Sequence, residues 1–179
     1  MRHAVALLLG AAPAFATEAP PVRVTRVAVE VFGVGLGGHA EGLAFTRREG
    51  PLENGENPDR RARRLVEESA QQIALIHSTS WRWEPDGRIV LTYVAWVKEG
   101  TLGRAARHLP KLAAPGPTDP LHPRPSEIRE LDPLAHGLRH LAFLLRTSRD
   151  GAVARALGPS GVLALERLEP DVAGELAPD

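Results

Sequence analysis

Apolar positions along this chain change period several times, and each change marks an element. From Val22 to Phe32, valines alternate with other residues at Val22, Val24, then Val27, Val29 and Val31. Period-two alternation of β-branched residues predicts a strand, with a phase slip at Thr25-Arg26 that a bulge would absorb. The glycine-rich stretch Gly33 to Gly38 predicts a turn, and Gly42 to Thr46 a short second strand. A loop follows from Gly50 to Pro58, and then the period becomes helical. Ala62, Leu65, Val66, Ser69, Ala70 and Ile73 fall at i, i+3, i+4, i+7, i+8 and i+11. That stripe predicts a helix from Asp59 to about Ile76, with Asn57 as N-cap and Pro58 at the first helical position.

The second half opens with a hairpin pattern. His77, Thr79, Trp81 and Trp83 alternate, Pro85-Asp86-Gly87 is a turn, and Arg88 to Val97 is apolar on both faces. The last of these is expected to be a central, fully buried strand. Thr118 to Ser126 carries Pro120, Pro123 and Pro125 and reads as an extended connector. Asp132 is then expected to cap a helix with Pro133 at its first position and a stripe of Leu134, Leu138, Leu141, Ala142 and Leu145. Shorter helices are expected at Asp150–Leu157 and Ser160–Leu168, separated by Gly158-Pro159.

Strand, strand, loop, helix, hairpin, connector and helices in that order predict an α/β (α+β) fold with a mixed sheet. The expected organisation is a core over residues 21–115, a proline-rich connector over 116–131 and a helical C-terminal extension over 132–179. The 179 residues, 43% of them hydrophobic, suffice for one domain with a real core. Lys+Arg and Asp+Glu are both 22, so no global field attracts nucleic acid. There is no cysteine, which excludes disulfides and thiolate zinc sites.

Residues 1–20 support two readings. Arg2, the apolar run Ala4 to Ala12 and Ala14-Phe15-Ala16 have the pattern of a secretory signal cleaved after Ala16. The run is too short for a transmembrane segment. The alternative is a start site set too far upstream, with the true start near Val22, Val24 or Val27. Under either reading, the segment stays outside the fold argument.

The candidate chemistry lies in the loop and first helix. Gly50-Pro51-Leu52-Glu53-Asn54-Gly55-Glu56-Asn57-Pro58 is a glycine-containing acidic loop, and Arg63-Arg64-Leu65-Val66-Glu67-Glu68-Ser69-Ala70 follows it. This arrangement resembles the box of the Nudix hydrolases, G-x5-E-x7-R-E-U-x-E-E-x-G-U with U a bulky aliphatic. Strands before and after the box, over about Val22 to Val97, extend the resemblance, which implies an α/β/α sandwich. Two registers are available. Anchored on the loop, Gly50, Glu56, Arg64 and Val66 match, while Leu65 and Ser69 replace glutamates. Anchored on the helix, Arg63, Leu65 and Glu67-Glu68 match, Ala70 takes the glycine position and Arg64 replaces the first helical glutamate. The helix-anchored register is preferred because it keeps the apolar stripe and the carboxylate pair together.

In the family, three carboxylates at i, i+3 and i+4 hold Mg²⁺ against a pyrophosphate, and the metal activates water. Here that triplet is Arg64, Glu67 and Glu68, and Arg64 is expected to pair with Glu68 four residues on. The resemblance therefore implies a domain with an impaired metal site that binds a small molecule or a protein partner, with weak or no hydrolysis. Its alternative is a Mg²⁺- or Mn²⁺-dependent hydrolase of a nucleoside diphosphate linked to another group, using Glu56, Glu67 and Glu68 with Glu53 nearby. An exposed ion-pair face is the preferred reading of Glu67 and Glu68. The cytoplasm is the preferred compartment, because the body resembles a largely intracellular family.

Three further patterns stand out. His77, Trp81, Arg82 and Trp83 are polar and aromatic for a strand beside a core, and form a candidate wall for a nucleotide-like ligand: rings stack, cations meet phosphate. The competing reading is that the tryptophans pack under the later helices. His136 and His140 stand four apart in His136-Gly137-Leu138-Arg139-His140, a spacing that can present two ligands to one metal. Gly137 stands where a metalloprotease-type glutamate would, and His39, His77, His108 and His122 would complete a site only if the fold brought them close. Gly33-x-Gly35-x-Gly37-Gly38 is not a dinucleotide fingerprint, because a strand follows it rather than a helix.

Overall fold

The computed structural model describes residues 26–37, 42–68, 70, 72–110, 128–170 and the backbone of 174–175. Expectations about residues 1–25 and the proline-rich segment Thr118 to Ser126 lie outside the described residues. In chain order the elements are β1 (Arg26–Leu36), β2 (Leu43–Pro51), α1 (Pro58–Glu67), β3 (Ile73–Trp83), β4 (Arg88–Val97), β5 (Arg107–His108), α2 (Asp132–Thr147), α3 (Ala152–Glu166) and β6 (Gly174–Glu175). The sheet runs β5-β2-β1-β4-β3-β6. The central pair β1 and β4 is parallel, whereas β1–β2 and β3–β4 are antiparallel. The fold is thus α+β with a mixed sheet.

Period-two geometry sorts the central strands onto two cores. On one face, Val29 and Val31 join Tyr93, Ala95 and Val97 beneath Ala62, Leu65 and Val66 of α1. On the other, Phe32 and Val34 join Phe45, Val94 and Trp96 beneath Leu134, Leu138 and Leu141 of α2 and Leu157 and Leu165 of α3. The C-terminal helices are therefore the third layer of the sandwich, integral to the core rather than appended to it. Among the described residues, no helix is long and apolar enough to cross a membrane.

The N-terminus of α1 is as expected. The Asn57 side chain accepts from the Arg60 amide at 3.0 Å, and Pro58 opens the helix. Its C-terminus is not: the helix stops at Glu67, and Ile73 begins β3. The helical stripe ran on to Ile73 by coincidence of phase. Ile73, Leu75 and Ile76 instead pair with Val97, Trp96 and Ala95 of the buried strand β4, which is worth more than a further helical turn.

The turn expected over Gly33–Gly38 is also corrected, because Gly33 and Gly35 lie inside β1. A Cβ on Gly33 would stand 2.8 Å from Thr46 Oγ1 and 3.1 Å from Val66 Cγ2. The glycine gives room for α1 to approach the sheet, which is a packing reason rather than a turn reason. Strand β2 runs to Pro51, five residues beyond Thr46. Asp132 is the first helical residue of α2 rather than its cap, and Leu131 holds the cap position without a side-chain bond. The Asp132 carboxylate instead accepts from the Arg129 amide at 2.8 Å. The two short final helices are found as expected within α3, parted at Gly158, whose φ of 68° and ψ of 170° are not helical, and Pro159.

Candidate functional site

A buried charge cluster interrupts the α2/α3 face of the sheet. Glu30 of β1 is 1% exposed. Its neighbours across the strands supply the partners. Arg47 of β2 donates through Nε to Oε1 at 2.7 Å, and Arg82 of β3 donates through Nη1 to Oε2 at 2.8 Å. The hydroxyl of Thr92 in β4 donates to Oε2 at 3.2 Å and accepts from Arg82 Nη1 at 3.1 Å. Arg82 also donates through Nε to Glu84 at 2.8 Å. A buried carboxylate is tolerated only with such pairing. Desolvation pulls the Arg82 pKa down, but the hydrogen bonds and charges of Glu30 and Glu84 outweigh it, and the guanidinium is held above its ordinary value.

This cluster floors a cleft of about 400 Å³. Trp83, Pro85, Ile128 and Pro133 supply apolar walls, and Arg129 and Glu130 flank the entrance to α2. Among the described residues, Arg82 Nη2, Arg47 Nη1 and Arg129 Nη1 make no hydrogen bond. The carboxylates, by contrast, are engaged: Glu30 and Glu84 by Arg82, and Glu130 by Arg107 at 2.5 Å. The cleft thus combines apolar borders with N–H donors left over for acceptor oxygens. A second cleft of about 270 Å³ runs along the β2 edge past Thr46, Arg48 and Arg107, and shares Arg47 and Glu130 with the first. Arg107 lies over the Phe45 ring, 4.7 Å from its centroid.

The four residues expected to form one ligand wall are divided. A bulge between Ser78 and Ser80 shifts the alternation of β3. Arg82 and Trp83 line the cleft. Trp81 and Trp83 pair with Leu91 and Ile89 and, two residues apart, share the α1 face, while Arg82 points to the other; Trp83, last in the strand, still borders the cleft. His77 lies further along the strand against α2, where its Nε2 is 3.2 Å from His140 Nε2.

The acidic residues of the box do not converge either. Arg64 forms an ion pair with Glu56, not with Glu68 as expected. Helical side chains lean toward the N-terminus, which carries Arg64 back to the loop rather than forward to Glu68. Glu56 Oε2 also accepts from the Glu53 amide at 3.0 Å. Glu68 stands 3.8 Å from Arg48 Nε with its side chain 60% exposed, and Glu67 is exposed. Among the described residues, no three His, Asp or Glu groups gather as a metal set, so Glu56, Glu67 and Glu68 do not fit a shared cation as they stand.

Glu30, Arg47 and Arg129 were not singled out by the sequence reading. Glu30 had a signal: it is the lone charge inside Val27–Val34, a run otherwise apolar or glycine. A charge at a core position needs a partner, and Arg82 at the equivalent depth of another strand was the natural one. Arg129, beside a connector, had no such signal. No protein-family model matches the chain, and no curated protein matches it.

Proposed function

We propose that this chain is a Nudix-like domain that binds a nucleotide-like small molecule and hydrolyses it weakly or not at all. The observation that carries the proposal is the Arg64–Glu56 ion pair. It occupies the loop carboxylate and puts a cation at the first position of the i, i+3, i+4 triplet. In either register, the carboxylate set is incomplete. The ligand sits in the cleft bordered by Trp83, Pro85, Ile128 and Pro133, with its oxygens on the N–H groups of Arg82 and Arg129.

The test is calorimetry with a panel of nucleoside mono- and diphosphates, with and without Mg²⁺ or Mn²⁺, beside an assay of product phosphate. Metal-independent binding, weakened at least tenfold by Trp83→Ala and without turnover, is the expected result. Metal-dependent turnover that disappears in Glu68→Gln would replace the proposal with the hydrolase reading. One observation favours that second reading: Glu68 abuts Arg48, which lines the basic second cleft. It would require the Arg64–Glu56 pair to open. Arg64→Glu should release Glu56, restore the triplet and raise Mn²⁺ affinity; unchanged affinity would count against an impaired box as the cause.

A further inference from the structure

We infer that His77 and His140 form a two-histidine binding site for a late first-row divalent transition ion, such as Zn²⁺, Ni²⁺ or Cu²⁺. Strand β3 docks against α2 and brings their Nε2 atoms to 3.2 Å. The ring centroids are 5.2 Å apart and the planes differ by 15°. Two imidazoles on one ion, at bonds of about 2.0–2.1 Å and an angle of about 100–110°, place their nitrogens about 3.1–3.4 Å apart. Each centroid lies about 1.1 Å behind its nitrogen, so such a pair has centroids about 4.7–5.2 Å apart. An end-to-end N–H···N bond of the same length would set them about 5.5 Å apart. The observed 5.2 Å matches the upper end of the metal-bridged range and also a bent N–H···N bond, so the pair is already spaced for a shared ion.

The surroundings suit neutral ligands. His140 is buried, with the Phe143 ring stacked 6.0 Å behind it. His77 is half-buried, which leaves the pair accessible from the β3 side. Burial lowers the His77 pKa, opposed by the charge of Asp59, and favours the uncharged imidazole that a metal requires. In the free pair one Nε2 carries the hydrogen of the shared bond. On binding, that proton moves to Nδ1 of the same ring, so both Nε2 lone pairs meet the ion and no proton is lost. Among the described residues two imidazoles gather here. Water or a small-molecule donor completes the coordination. Imidazole nitrogen selects zinc, nickel and copper over magnesium and calcium. The site is independent of the box carboxylates, none of which it uses.

The experiment is calorimetric titration of the chelator-stripped full chain with ZnCl₂ and with NiCl₂ near pH 7.5. One ion per chain is expected, with affinity at least tenfold lower in His77→Asn and in His140→Asn and unchanged in His108→Asn. Thermal melts should show a metal-dependent rise for wild type that His77→Asn lacks. Because His140 is buried, circular dichroism decides whether its variant counts. His77→Asn, at a half-buried position, carries the test alone if it does not. Equal binding by wild type and folded His77→Asn, or no binding by folded wild type up to about 1 mM metal, overturns the inference.

Discussion

The two faces of the sheet solve the same problem differently. The α1 face is closed by one ten-residue helix whose buried residues are Ala62, Leu65 and Val66. Its polar tie is at the edge, where the Tyr93 hydroxyl donates to Asp59 at 2.7 Å. The opposite face carries two helices and larger side chains, Phe32, Phe45 and Trp96 among them, yet it also buries Glu30 and Arg82. The charges lie where that helical layer ends: Pro133, at the start of α2, lines the cleft above Glu30. A fully roofed sheet can be apolar throughout, but a partly roofed one has a rim. Polar groups at a rim reach a ligand while their partners stay dry, so the candidate binding site belongs to the more heavily covered face.

Breaking the charge cluster should have the largest effect. Glu30→Ala leaves Arg82 buried with Glu84 as its remaining carboxylate and removes a partner of Arg47, and should cost about 3–5 kcal/mol in urea denaturation. The same substitution in the Arg82→Met background should cost much less, because the stranded cation is gone; equal costs would mean that the cluster is not coupled. Overpacking the helical roof comes next. A Cβ at Gly137 would stand 2.5 Å from Val94 Cγ2 and 3.1 Å from Thr79 Oγ1. Gly137→Ala should therefore lose about 1–3 kcal/mol despite the better helix propensity of alanine. A neutral or stabilising result would show that α2 sits further from the sheet.

The contrast between faces also explains what the sequence made legible. The β3–β4 hairpin and its turn could be read because alternation, Pro85-Asp86-Gly87 and an apolar run all agree there. The start of α1 could be read because Asn57 and Pro58 act locally. Its end could not, because Ile73 satisfies a helical stripe and a strand equally, and only pairing with Val97 decides between them. Gly33 and Gly35 read as a turn because their cause, the approach of Val66 and of Val97, comes from residues distant in sequence. The candidate site was half legible for the same reason. Arg82 and Trp83 were visible as odd residues in a strand, but the bulge that puts His77 on the face of Arg82 and both tryptophans on the other was not. The cluster assembles four strands, and one sequence does not show which depths align.

Smaller effects sharpen the comparison on the α1 side. Burial and the adjacent Asp59 carboxylate hold the Tyr93 hydroxyl well above its ordinary pKa, so it stays a donor throughout the usable range. Tyr93→Phe should lose about 1 kcal/mol, with no step in stability on the alkaline side up to pH 10. On the α2 side, His77 is displaced in the opposite direction: burial lowers its pKa. An imidazole kept neutral contributes stability above its ordinary pKa near 6.5 and loses it as the pH falls. Denaturation in metal-free buffer at pH 7.5 and 5.5 should show an acid loss that is smaller in His77→Asn; an identical loss would place the responsible group elsewhere.

The smallest effect is expected at the residues that looked most chemical in the sequence. Glu67 is exposed, and Glu68 stands at 3.8 Å from Arg48 with more than half its side chain in solvent. Exposed ion pairs at such distances are screened and entropically costly to hold, so Glu67→Gln and Glu68→Gln should each change stability by no more than about 0.5 kcal/mol. Ligand affinity in the Trp83 cleft should also be unchanged, because that cleft opens on the other face. Glu30 carries the same charge at the heart of the sheet and should matter at least several times more. The difference lies in burial and pairing rather than in residue type. A result in which Glu68→Gln weakened the ligand as much as Trp83→Ala would join the two faces into one site around the β2 edge, through Arg48 and Arg47.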